Sequence, residues 1–240
     1  MNRIGFFYPV YKQPRATRHV LENVRKYYPD SPIVMVSDGG NDFSELASEF
    51  CCLYSNEEQL GNGRGTIMET SEKLGAWLLR LANAMNYTQS RGCGWTLLLE
   101  DDVLLKGRFV VPTDTIFLSI AGPPWEQPWN PHVTQLRDWL IENYPATKPN
   151  LTTYGGQGGS LFYNERCGPA ILGFACSSQF RSLFNKFSGA LSWSDIAIST
   201  ALALAQIFYT VSPFHGNGKG ALGSSDILVV HPYKEMYVSE

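Results

Sequence analysis

Apolar positions in the first hundred residues fall in short unbroken runs separated by stretches of helical period. Ile4 to Tyr8 reads as a first buried strand, and Pro9, Val10 and Tyr11 open the loop that leaves it. Val20, Leu21, Val24 and Tyr28 share one face of a helix over Thr17 to Tyr28. Ile33 to Ser37 is a second apolar run, closed by Asp38, Gly39 and Gly40. A short helix over Phe43 to Phe50 and a third strand over Cys51 to Tyr54 follow. The most informative run comes next. Trp95, Thr96, Leu97, Leu98 and Leu99 lead straight into Glu100, Asp101 and Asp102, after which Val103, Leu104 and Leu105 are apolar again. Strands alternating with helices predict an α/β domain with a mostly parallel sheet.

Between the third strand and the acidic run lies Leu60, Gly61, Asn62, Gly63, Arg64 and Gly65. Thr66 with Glu69 reads as a capping box opening a helix to about Met85, with Ile67, Leu74, Leu78 and Leu81 on its buried face. Such a loop at a helix start can hold an anion, and it reads equally as a plain surface loop. No Gly-Lys-Ser/Thr closes it, so it is not a Walker motif.

Residues 115–120 predict another strand, and residues 121–150, rich in proline and tryptophan, read as a long connection carrying a helix over Val133 to Tyr144. The glycine-rich stretch Tyr154 to Ser160 leads into a strand at Leu161 to Tyr163. Helices are predicted over Cys167 to Gly173 and Ser178 to Phe187. A helix apolar nearly all round runs from about Asp195 to Tyr209. His215, Gly218, Lys219 and a strand at Ile227 to Val230 complete the pattern.

Composition narrows the function. The chain has 240 residues, 44% hydrophobic and 17% charged, with a net charge of -3, so nothing favours nucleic acid or an anionic membrane as partner. Its five cysteines include no C-x-x-C pair, which argues against a disulfide scaffold or a zinc site. Ile196 to Val211 is shorter than the roughly 20 residues of a membrane span, and the first strand starts too early for a signal peptide. The expectation is a soluble, cytoplasmic protein with no transmembrane segment.

Three carboxylates at the end of a buried strand would cost several kcal/mol each without a positive partner. A hard divalent cation is the simplest one. Asp38 ends the second strand on the same sheet edge, where it suits a base or ribose, or simply starts an Asp-Gly turn. Asp195, at a helix start, reads equally as a general base and as a dipole-stabilised carboxylate. His215 is a minority choice for a metal ligand, with His231 competing. Trp125, Trp129 and Trp193 are candidates for stacking on sugar.

These residues together resemble glycosyltransferases of the GT-A fold, with a Rossmann-like, mixed but mostly parallel sheet flanked by helices. Glu100, Asp101 and Asp102 resemble that superfamily's D-x-D motif. The same Glu-Asp-Asp form occurs in inverting N-acetylglucosaminyltransferases and lipooligosaccharide galactosyltransferases. The resemblance implies that Asp102 ligates Mn²⁺ or Mg²⁺ beside the donor diphosphate, and that Glu100 and Asp101 contact ribose and metal-bound water. It implies that Pro9, Val10 and Tyr11 wrap the base, with Asp38 at base or ribose. Gly158 and Gly159 would lie beside donor sugar and acceptor, and Trp193 and Asp195 match the late motif that supplies the catalytic base. Ser194 departs from the paired acids usual in that motif. His215 to Lys219 faintly resembles a retaining element, with the lysine two positions early, so inverting is the preferred stereochemistry.

The expected protein is one GT-A domain over 1–240, with a nucleotide-binding half at 1–105 and an acceptor and catalytic half at 106–240. It would be a hexosyl- or pentosyltransferase using Mn²⁺ or Mg²⁺. Its donor would be a UDP- or GDP-linked sugar, and its acceptor a hydroxyl of a glycan or glycoprotein. In this reading Asp102 and His215 hold the metal, Arg64 touches the donor and Asp195 is the base. The alternatives are a nucleotidyltransferase or a non-catalytic glycan-binding module.

Overall fold

The computed structural model describes residues 3–61, 67–111, 117–119, 130–153, 162–208, 210–216 and 221–230. The expected alternation opens the fold: β1 (Arg3–Val10), α1 (Pro14–Tyr27), β2 (Ile33–Asp38), α2 (Ser44–Glu49), β3 (Leu53–Glu57), α3 (Ser71–Ser90) and β4 (Cys93–Leu98). The rest comprises β5 (Leu104–Leu105), β6 (Phe117–Ser119), α4 (Pro131–Asn143), α5 (Lys148–Thr153) and β7 (Phe162–Asn164). Then come α6 (Cys167–Ala175), α7 (Ser178–Leu191), α8 (Ser194–Leu204), β8 (Thr210–Val211), β9 (His215–Gly216) and β10 (Val229–Val230). Among the described residues no helix is long and apolar enough to cross a membrane.

The main sheet has the order β3-β2-β1-β4-β7-β6-β8. Only β7 runs against its neighbours. A second sheet, β5-β10-β9, pairs the chain after the acidic residues with its C-terminal part. This is the mixed, mostly parallel α/β architecture that the pattern predicts.

Strand residues alternate between two cores, as a period of two requires. Phe7, Val34, Val36 and Leu98 face the layer of α3, α4, α6, α7 and α8. Phe6, Tyr8, Met35 and Leu97 face α1 and α2. The fit of α3 is close: a Cβ on Gly5 would stand 2.5 Å from the Thr88 side chain, whose hydroxyl lies 2.5 Å from that of Thr96.

Some boundaries differ from expectation. Pro9 and Val10 belong to β1 and pair with Val36 and Ser37 of β2. Proline is tolerated there because pairing with β4 ends at Phe7 and Leu98, and Phe7 already turns its carbonyl to that side, accepting from the Leu99 amide. A period of two therefore aims Pro9 past the last ladder bond.

Thr66 of the expected capping box lies outside the described residues, and α3 starts later than that box implies. The cap is Thr70, which accepts from the Lys73 amide. Ile67 instead forms a bridge with Trp193, and the Met68 amide donates to the Ser192 carbonyl. That pairing holds residues 67–68 away from helical geometry. The late apolar helix is buried as expected, but it ends at Leu204, and Gln206 is left-handed (φ 54°). The helix at 131–143 docks Trp139 against Phe187 and Tyr144, so this tryptophan is a packing residue.

Candidate functional site

The chain steps from β1 outward to β2 and β3, then crosses back to lay β4 on the other side of β1. The strand order therefore reverses between β1 and β4, and open α/β sheets bind ligands at the carboxyl ends of such a switch point. Tyr11 leaves β1 there. The Leu99 amide donates to the Phe7 carbonyl (2.8 Å), continuing the ladder until Glu100 stands just past the end of β4. The three acids thus occupy the crevice edge that the fold provides.

Tyr8 closes this crevice from below, its hydroxyl donating to Asp101 Oδ1 at 2.7 Å. Asp101 is nonetheless a strained carboxylate, pushed up to about 6. Burial is the main cause, followed by the neighbouring charges of Asp102 and Glu100, while the Tyr8 and Thr17 hydroxyls oppose it. Asp102 is buried at 9% exposure.

The sign of this shift sets a stability test. Between pH 3.8 and about 6 the folded protein holds a proton on Asp101 that the unfolded chain has released. Stability of the metal-free protein therefore falls as pH rises through that window, by about 1–3 kcal/mol from this group. Asp101→Asn is expected to raise the unfolding midpoint at pH 7 and to change it little at pH 4. Equal effects at both pH values in thermal melts would contradict the crowding of charge.

His215 arrives by a different route. Val229 of β10 has Leu105 on one side and His215 on the other, so the second sheet ties His215 to the strand that follows Asp102. The imidazole is buried and packs edge-on to Phe162 at 5.3 Å. Lys106 reinforces the link, its ammonium donating to the carbonyls of Leu222 (2.7 Å) and Ser224 (2.6 Å).

Asp195 lies in the first turn of α8, two residues beyond Trp193, which pairs with Ile67. A residue not foreseen from the pattern connects it to the acids. Tyr163 of β7 is wholly buried, and its phenol is held far above the ordinary range by burial first, then by Cys167, Asp195 and Glu100. Asp195 and Glu100 therefore act on one phenol from two elements. In the sequence Tyr163 reads only as one more core aromatic. Burial also pushes the thiols of Cys52 up to about 11 and Cys167 up to about 12, so neither is a thiolate at neutral pH.

Asp38 stands at the same edge, but its carboxylate is engaged by the protein. Oδ1 accepts from Arg80 Nη1 (2.7 Å) and the Leu60 amide (2.9 Å), and Oδ2 from the Gly61 amide (3.4 Å). Arg64, Gly158, Gly159, Trp125, Trp129, Lys219 and His231 lie outside the described residues.

Among the described residues, no three His, Cys, Asp or Glu side chains gather as a metal cage. The donor set still fits Mn²⁺ or Mg²⁺. Such ions take one or two carboxylates from the protein and complete their shell with water and substrate phosphates. Crowded carboxylates that raise one another's proton affinity suit a cation that would relieve them.

No family model and no curated protein matches the chain. Solved structures do. The galactosyltransferase LgtC, crystallised with donor and acceptor sugar analogs, aligns over 96% of this chain and 87% of its own at 14% identity, with a TM-score of 0.49. An active-site mutant of LgtC aligns over the same shares at 13% identity, with a TM-score of 0.50. At this identity the likeness establishes the fold, which is GT-A, as the resemblance of the sequence led one to expect.

Proposed function

We propose that the protein is a metal-dependent glycosyltransferase. It takes a sugar from a UDP- or GDP-linked donor to a hydroxyl of a glycan or glycoprotein, with inversion. The observation that carries this reading is the trio Glu100, Asp101 and Asp102 at the switch point between β1 and β4, with Asp101 raised to about 6 by burial and its neighbours. The likeness to LgtC, a protein that carries an active site on this fold, supports it.

In this reading Asp102 and His215 hold Mn²⁺ or Mg²⁺, which neutralises charge on the departing diphosphate when bound. Glu100 and Asp101 orient ribose and metal-bound water. Pro9, Val10 and Tyr11 flank the base. Asp195 takes the proton of the acceptor hydroxyl, and Trp193 lies on the acceptor side with Gly158 and Gly159, while Arg64 meets the donor phosphates. The buried Tyr163 keeps its proton and does not compete as a base. Residues 1–105 supply the donor side and 106–240 the acceptor side of one domain.

Metal-dependent binding of one nucleotide sugar, followed by release of its nucleoside diphosphate, tests the proposal. A folded protein that binds none, with or without metal, contradicts it.

A further inference from the structure

We infer that Asp38 is a positioning residue rather than a nucleotide ligand: with Arg80 it locks the wall of the nucleotide cradle formed by Tyr11, Gly39 to Asn41 and Gln59 to Gly61. The inference rests on the functional reading above in taking that wall as one side of a nucleotide site. The lock itself stands on geometry alone.

Both oxygens of Asp38 are already used, by two backbone amides and a guanidinium. The pair is secluded, with side-chain exposures of 15% for Arg80 and 12% for Asp38. Arg80 reaches from α3, and its second nitrogen donates to the Glu58 carbonyl at 2.7 Å and lies 3.9 Å from Glu57. One guanidinium thus pins the end of β2 and the segment after β3 together.

The rest of the wall is packed backbone to backbone. Gly39 is left-handed (φ 69°), and a Cβ there would lie 2.5 Å from that of Gln59. A Cβ on Gly40 would stand 1.7 Å from the Tyr11 carbonyl oxygen, which also accepts from the Asn41 amide at 2.7 Å. Gln59 donates to the Gly61 carbonyl at 3.0 Å, and Ser37 donates to the Asn41 carbonyl at 2.8 Å. No side chain fits between these segments, and the lock holds them just beyond the point where the β2–β3 ladder ends, at Asp38 opposite Glu57. To reach a base or ribose, Asp38 would have to abandon buried donors and leave them unsatisfied.

Breaking one partner of a buried ion pair leaves an uncompensated charge, whereas removing both is milder. A double-mutant cycle therefore separates lock from ligand. Asp38→Asn, Arg80→Met and the double variant are compared by calorimetric titration with UDP and GDP in Mn²⁺, and by hydrogen exchange at Leu60 and Gly61. Exchange in β1 serves as the folding control. Arg80→Lys, which keeps the charge but has one nitrogen, is the variant least disruptive to folding.

Both single variants are expected to speed exchange at Leu60 and Gly61 at least tenfold and to weaken nucleotide binding by a similar factor, about tenfold. The double variant should be no weaker than either, and Arg80→Lys should fall between wild type and Arg80→Met. In a transfer assay donor KM should rise while kcat at saturation holds.

Loss of binding in Asp38→Asn alone, with Arg80→Met like wild type, would overturn the inference and make Asp38 a direct ligand. Unchanged exchange at Leu60 and Gly61 in all variants would overturn the lock. If wild type binds neither nucleotide, the functional reading fails and with it the cradle's role, while exchange still decides the lock.

Discussion

Asp102→Ala is expected to weaken Mn²⁺-dependent donor binding by at least about a hundredfold and to reduce turnover further. The loss is electrostatic. A cation at a diphosphate stabilises charge that grows as the leaving group departs, and removing one such preorganised contact commonly costs about 10²–10³ in rate. Asp102 is the most buried of the three acids and opens the segment that β10 ties to the strand carrying His215. Its loss should also relieve Asp101, so the metal-free variant should be at least as stable as wild type. Titration of the donor with and without Mn²⁺ checks this. Normal metal-dependent affinity in the variant would sink the assignment of the metal site.

Asp195→Asn should act on a different step. Donor binding should stay within about twofold of wild type, while transfer falls by about 10²–10⁴, the usual contribution of a positioned general base. The amide keeps the shape and can still accept from the Ile196 amide, which donates to Asp195 Oδ1 at 2.9 Å, so the α8 start should persist. Donor affinity and single-turnover transfer, measured on the same preparation, separate the two effects. Unchanged turnover would remove Asp195 as the base.

Much of the first sheet half was legible because it depends on local pattern. The runs ending at Tyr8, Ser37 and Leu99 became β1, β2 and β4, and the acids appeared where an apolar run met three charges. What escaped depends on contacts between distant segments. Tyr8 and Asp101 are 93 residues apart, and Asp38 and Arg80 are 42 apart, so no window of sequence holds either pair. The misplaced start of α3 has the same origin. Thr66 and Thr70 are both plausible caps, and only the bridge between Ile67 and Trp193 decides between them. The pattern alone reads Pro9 as the start of the loop after β1. Its missing N–H is harmless only where β4 stops, which requires the register.

The role of Asp38 shows how a motif match and a structure diverge. An acid after the second strand matches a nucleotide-contacting position by order alone. Here its hydrogen bonds are taken by Leu60, Gly61 and Arg80, so the same residue type serves the wall instead of the ligand.

The proposed metal-dependent nucleotide-sugar site is at Glu100, Asp101 and Asp102. The most direct measurement is the thermal midpoint against UDP-, GDP-, CMP- and dTDP-sugars, each with and without Mn²⁺. Binding to the folded state alone should raise the midpoint by several degrees at about a hundredfold excess over Kd. Such a rise is expected with sugars of one base, only when metal is present, and should disappear in Asp102→Ala. A folded protein whose midpoint moves with none of them, or moves equally without metal and in Asp102→Ala, would contradict it.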